Sequence, residues 1–154
     1  MKKMNNKGFS LVELIVVIAI MAVLIGVLAP QFLKYVERSR KSTDVQNVAS
    51  MITAVQTYAA DPMVATADQL TTGTYALTIK STVTNIDATP TAAIDKALKA
   101  AGINSYQLKS KNWSSEADNA VTITFTVADD GSVSAAQTTP AATATVDIVK
   151  GLYQ

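Results

Sequence analysis

From Phe9 to Ala29 the chain is apolar at every position except Ser10, Glu13 and Gly26. About 20 apolar residues suffice for one helix to cross the hydrocarbon core of a bilayer. The pattern then changes. Val45, Val48, Ala49, Ile52, Val55 and Ala59 recur at spacings of three and four, with Asp44, Gln46, Asn47, Ser50, Thr53 and Gln56 between them. That period predicts an amphipathic helix with one side to bury. Asp61-Pro62 ends it, because the residue before a proline is pushed out of the helical region. Residues 9–60 therefore read as one helical spine, and residues 9–29 as its membrane-spanning first half. Such a helix would be about 78 Å long at ~1.5 Å per residue.

Beyond the spine the period shortens. Tyr75, Leu77 and Ile79 alternate with Ala76, Thr78 and Lys80, which predicts a strand. Ile94, Ala97, Leu98 and Ala101 have helical spacing after Pro90, with Gly102 as the stop. Val121, Ile123, Phe125 and Val127 alternate with threonines and give the clearest strand in the chain. Asp129-Asp130-Gly131 reads as a hairpin turn, Ser132 to Ala136 as the returning strand, and Val146 to Val149 as a third strand of the same sheet. The expected fold class is α+β: a long N-terminal helical spine whose second half packs against a small antiparallel sheet. The expected divisions are 1–8, a leader; 9–60, the spine; and 61–154, a globular head.

Composition removes several functions. There is no His and no Cys among the 154 residues. That takes away the commonest general base, the thiolate nucleophile and the usual metal ligands. No phosphate-binding glycine loop or pair of catalytic carboxylates stands out. The chain does not read as an enzyme, and neither a cofactor nor a metal is expected. Asp129 and Asp130 read as solvated turn acids, and Asn112-Trp113-Ser114 as a chance match to a glycosylation sequon. A net charge of +1 gives no case for nucleic-acid binding. The charges are unevenly placed, however. Lys2, Lys3 and Lys7 precede the apolar run, which favours a cytoplasmic N-terminus; Lys34, Arg38, Arg40 and Lys41 follow it, offset by Glu37 and Asp44, so charge alone sets the orientation only weakly.

A secretory signal peptide would share the basic start and the apolar core. Against it stand the length of the run, the acid within it, and Pro30 directly after the small-residue site Val27-Leu28-Ala29. A plain membrane anchor carrying a binding module fits the hydropathy but gives no reason for Glu13. A lone acid in such a run costs a few kcal/mol, about 2.5–3.5 for a charged residue at the bilayer centre, unless it is paired.

The segment Lys7-Gly8-Phe9-Ser10-Leu11-Val12-Glu13-Leu14 resembles the class III signal of type IV pilins and pseudopilins. The resemblance covers roughly Lys7 to Val36. It implies that a membrane-embedded prepilin peptidase cuts after Gly8 and N-methylates Phe9. It also implies that Glu13 of an incoming subunit pairs with the new Phe9 ammonium of a neighbour during assembly. Gly8 lacks a side chain that would hinder close approach to the backbone. Ala19, Ala22, Gly26 and Ala29 have the spacing that lets helices pack closely in an apolar medium. Pro30 cannot donate to the carbonyl of Gly26, so this stretch is the weak point of the helix. The reading predicts a kink there, and the resemblance implies local unwinding in the fibre.

The function so implied is a structural subunit of a type IV pilus serving adhesion or motility. The alternative is a pseudopilin of a secretion or DNA-uptake apparatus. The implied partners are further copies of the chain in a helical homopolymer, the prepilin peptidase and N-methyltransferase, and an inner-membrane assembly platform. The implied location is a single-pass membrane protein that later becomes part of an extracellular pilus. The lack of Cys departs from many pilins whose C-terminal loop is closed by a disulfide, so packing and strand pairing must hold the end of the head.

Overall fold

The computed structural model describes residues 8–65, 68–82, 87–89, 91–113, 119–139 and 147–151. The chain divides into two compact units, Met1–Glu37 and Arg38–Gln154. The element order is α1 (Leu11–Ala60), β1 (Gly73–Ile79), β2 (Asp87–Thr89), α2 (Thr91–Ala100), β3 (Val121–Val127) and β4 (Val133–Thr139). The fold is α+β, as expected.

Within the first unit, α1 carries the apolar run. Its side chains from Leu11 to Leu28 stand exposed, and none of the most apolar window is buried inside the chain. It is the one helix among the described residues long and apolar enough to cross a membrane.

In the second unit, the sheet has the order β2-β1-β3-β4 with every pair antiparallel. The alternation in the sequence sets its two faces. Leu77, Ile79, Val121, Ile123 and Phe125 are wholly buried and share one core with Val48, Met51 and Val55 of α1 and with Ile94 and Leu98 of α2. The opposite face is threonine-rich. Thr78 and Thr122 meet across β1 and β3 at 3.0 Å, and Thr124 meets Thr138 across β3 and β4 at 3.2 Å. These are cross-strand pairs of the kind that support a sheet.

Two expectations need correction. The buried stripe of α1 is Lys41, Asp44, Val48, Met51 and Val55. Ala49 is exposed, and Asp44, assigned above to the polar side, is fully buried. The apolar pattern alone placed the stripe slightly too far round the helix, because it could not count a charged residue as part of a core. The segment expected as a third strand is only an isolated bridge at Asp147 followed by a turn; Val146 lies outside the described residues. The strand β2, too short to show a period, was not anticipated, and β4 extends three residues beyond its expected end.

Local chemistry explains the other ends. The Ile103 N–H donates to the Leu98 carbonyl at 2.8 Å and the Gly102 N–H to the Lys99 carbonyl at 2.9 Å, with Gly102 at φ 78°. Together these close α2 in a Schellman cap, with Ile103 packed on the core. In the β3–β4 turn the Gly131 N–H donates to Ala128, the Ala128 N–H to Ser132, and the Ser132 N–H to the Asp130 carboxylate at 2.9 Å. The Ser132 hydrogen bonds hold the Asp130 carboxyl below its ordinary pKa.

Asp44 organises the region between α2 and β3. Its Oδ1 accepts from the Tyr106 hydroxyl at 2.5 Å and the Lys109 N–H at 2.8 Å. Its Oδ2 accepts from the Ser110 N–H at 2.9 Å and the Trp113 indole N–H at 2.8 Å. Burial, and then the hydrogen bond to Asp44, push the Tyr106 phenol well above its ordinary pKa. The Lys41 ammonium lies 5.2 Å from the Trp113 ring centre, within cation–π range. Asn119, at φ 45°, accepts from the Trp113 N–H at 2.7 Å and donates to the Ser110 carbonyl at 2.8 Å, which fixes the loop from its other side.

The end of the head is held without a disulfide. The Ile148 N–H donates to the buried Gln137 side chain of β4 at 2.5 Å, and the Ile148 side chain enters the core. Asp147 accepts from the Val149 and Lys150 N–H groups and folds the turn onto itself.

Candidate functional site

The candidate site is the start of α1. Gly8, Phe9 and Ser10 precede the helix, and all three are exposed. A Cβ added at Gly8 would meet nothing within 4 Å. Phe9 is 85% exposed, so its large apolar side chain has no packing partner among the described residues.

Ser10 is the N-cap residue. Its carbonyl accepts the first helical bond, from the Leu14 N–H at 3.2 Å. Glu13 lies in the first turn, and its Oε2 accepts from the Ser10 N–H at 2.8 Å. This is the returning arm of a capping box, in which a glutamate three positions after the cap satisfies the cap's own N–H. A negative charge here also faces the positive end of the helix dipole. Glu13 is thus held by its own chain on the N–H of the Phe9–Ser10 peptide, the one that follows the Gly8–Phe9 bond. The Ser-Leu-Val-Glu spacing carried this signal, but Ser10 and Glu13 were read separately in the sequence.

Gly26 and Pro30 lie far from this group, within α1. The helix runs through both without interruption. Nothing lies within 4 Å of a Cβ built at Gly26, so the position is open to close approach from another chain.

The start of α1 thus brings together an accessible Gly-Phe peptide, a carboxylate fixed close to it, and a long apolar surface that no other described residue covers.

Comparison with known proteins bears on the same segment. A family model described as the prokaryotic N-terminal methylation motif matches residues 3–29. The chain is 30% identical over 123 residues to a type IV major fimbrial protein, FimA, of Dichelobacter nodosus; the match covers 80% of this chain and 72% of that protein. A second FimA from the same organism is 37% identical over 59 residues, 38% of each chain. The type IV major pilin protein PilA of Myxococcus xanthus is 35% identical over 54 residues, which cover 35% of this chain and 24% of that one. No solved structure matches. These relatives are major pilins, so the secretion-apparatus alternative is not favoured. With the methylation motif at the head of an exposed apolar helix, and a relative aligned over most of both lengths, this chain belongs to the type IV pilin family.

Proposed function

We propose that the chain is a structural subunit polymerised into a type IV pilus, with no catalytic role of its own. The observation that carries this reading is the exposed Gly8–Phe9 step and capped Glu13 at the start of a helix whose apolar side chains have no cover among the described residues. Before assembly the apolar run anchors the chain in the cytoplasmic membrane, with the basic N-terminus inside. A prepilin peptidase removes residues 1–8 and methylates Phe9. An assembly platform then draws the subunit from lipid into a growing homopolymer at the cell surface.

Glu13 supplies the register. Cleavage creates an ammonium on Phe9. In the low-dielectric centre of a fibre, an unpaired carboxylate is costly, and pairing with the neighbour's ammonium offsets that cost. The pair forms at one axial offset only, so the charge selects the register while the apolar side chains supply contact area. A carboxylate oxygen accepts more than one hydrogen bond, so the bond to Ser10 is compatible with this role. The Gly26–Pro30 stretch, lacking one helical hydrogen bond, is where the spine extends most easily as subunits pack.

The test is Glu13→Val and Glu13→Gln in the native host, reading filaments sheared from cells and the chain retained in membranes. Both variants are expected to insert normally and to yield at least tenfold fewer filaments, roughly what loss of ~1.4 kcal/mol or more per contact produces. Normal filament yield from Glu13→Val would contradict the assembly role and favour an anchored binding module.

A further inference from the structure

Among the described residues of the unit Arg38–Gln154, one large apolar side chain stands exposed: Met63, at 88%. The backbone holds it there. Asp61-Pro62-Met63-Val64 is a tight turn in which the Asp61 carboxylate accepts the Met63 N–H at 2.8 Å and the Asp61 carbonyl accepts the Val64 N–H at 3.3 Å. Proline at the second position suits such a bend. The segment that follows is tied back as well. The Gln69 side chain donates to the Val64 carbonyl at 3.1 Å, and Asp68 pairs with Lys96 of α2. Met63 is thus a fixed apolar knob.

Beside the turn an open groove of about 410 Å³ runs between α1 and α2. Its least exposed residues are Ala54 and Tyr58 of α1 and Ala97 of α2, and the alanines are too small to fill the space between the helices. Ser50 and Thr53 on its wall donate their hydroxyls to the Gln46 and Ala49 carbonyls of their own helix, at 3.0 and 2.9 Å. These donors are satisfied, so this wall offers an occupant carbon surface.

We infer that Met63 of one subunit enters the α1–α2 groove of a second copy in the fibre. The inference rests on the reading of the chain as a polymer subunit and adds a contact between heads. An unbranched methionine adapts to an irregular apolar gap better than any branched side chain. The charges agree as well. Asp61 is the one charge in the turn, and α2 carries Lys99 in its last turn, next to the groove residue Ala100. The spacing fits a stack of copies. The groove follows α1 from Ser50 to Asp61, about 16 Å at ~1.5 Å per residue, and Met63 lies just past one end of it. A copy shifted along this stretch of α1 by half that length presents the middle of its groove to Met63. Knob and groove are different surfaces, so each copy gives its Met63 to one neighbour and its groove to another. A contact of that kind repeats without closing, as a filament requires.

The test compares filaments sheared from the native host with the same unaltered chain dissolved as a monomer in detergent. Dilute hydrogen peroxide is added, and methionine sulfoxide is followed by mass spectrometry. Met63 is expected to oxidise at least about tenfold more slowly in the filament, since susceptibility follows exposure. Cross-linking then locates the cover. The chain has no Cys, so two chains produced together, one Met63→Cys and the other Thr57→Cys or Ala100→Cys, hold no other thiol. Both groove positions are exposed. A short bismaleimide should join the two chains within filaments, and should not join Met63→Cys to Thr126→Cys on the outer face of the sheet. Equal oxidation in filament and monomer would overturn the contact and leave the pilus reading standing. Protection with Met63→Cys joined only to its own kind would overturn it in favour of a closed two-fold pair. Protection with Met63→Cys joined to neither groove position would overturn it in favour of another covering surface. Absence of filaments from the unaltered chain would overturn the pilus reading and this contact together.

Discussion

Asp44 carries four hydrogen bonds and no exposed surface. All four donors belong to the segment that crosses back from α2 to β3, so one carboxylate fastens that segment to the spine. Truncation would strand the Lys109 and Ser110 N–H groups and the Trp113 indole in a buried site. Asp44→Ala is therefore expected to cost about 3 kcal/mol or more, read from denaturant unfolding of the full chain in detergent. A smaller loss, under about 1 kcal/mol, would mean that water replaces the carboxylate. Tyr106 adds a pH signature. Its phenol pKa is raised in the folded state, so folding favours the neutral form. That contribution is complete below the ordinary tyrosine pKa of about 10 and is lost as pH rises through the higher folded value. Thermal unfolding followed from pH 9 upward should show the intact chain losing stability faster than Tyr106→Phe. Parallel curves would contradict the coupling. None of this was legible in the sequence, where Asp44 looked like one more polar residue on a solvated face. The donors that make its burial tolerable lie more than 60 residues away.

At the scale of elements the sequence was more informative, for a physical reason. The strands β1 and β3 and the helix α2 each bury one face, and a buried face imposes a period that can be counted. The elements that escaped notice are those without a period of their own: β2, with three residues, and the turn after Asp147, which side chains hold rather than a ladder. The stop at Gly102 was legible because its φ of 78° suits glycine above all other residues. An added Cβ there would meet nothing within 4 Å. Gly102→Ala should consequently cost only the backbone term, about 1–2 kcal/mol, with no change in the folded structure. Unfolding of the variant beside the parent chain measures it, and a loss well above that range would point to a packing role. The capping box at Ser10 and Glu13 was present in the letters as Ser-x-x-Glu. It was obscured because Glu13 was already taken up by an intermolecular role.

At the scale of the whole molecule, the two units answer to different surroundings. The unit Arg38–Gln154 has a core of its own, and every buried side-chain polar atom among the described residues is hydrogen-bonded. The described residues of the unit Met1–Glu37 have an apolar surface and no core, which the proposed function explains by cover from lipid and then from other copies of the chain. Under the proposed function, the motif that hands it from one cover to the other is the Gly8–Phe9 bond with Glu13 beside it. The most direct test is the mass of the mature chain recovered from its native host, with sequencing of its N-terminal peptide. The account predicts a chain that starts at Phe9, carries one added methyl on its amino group, and is recovered in sheared filaments. A chain that still starts at Met1, or one cut near Ala29, would contradict it.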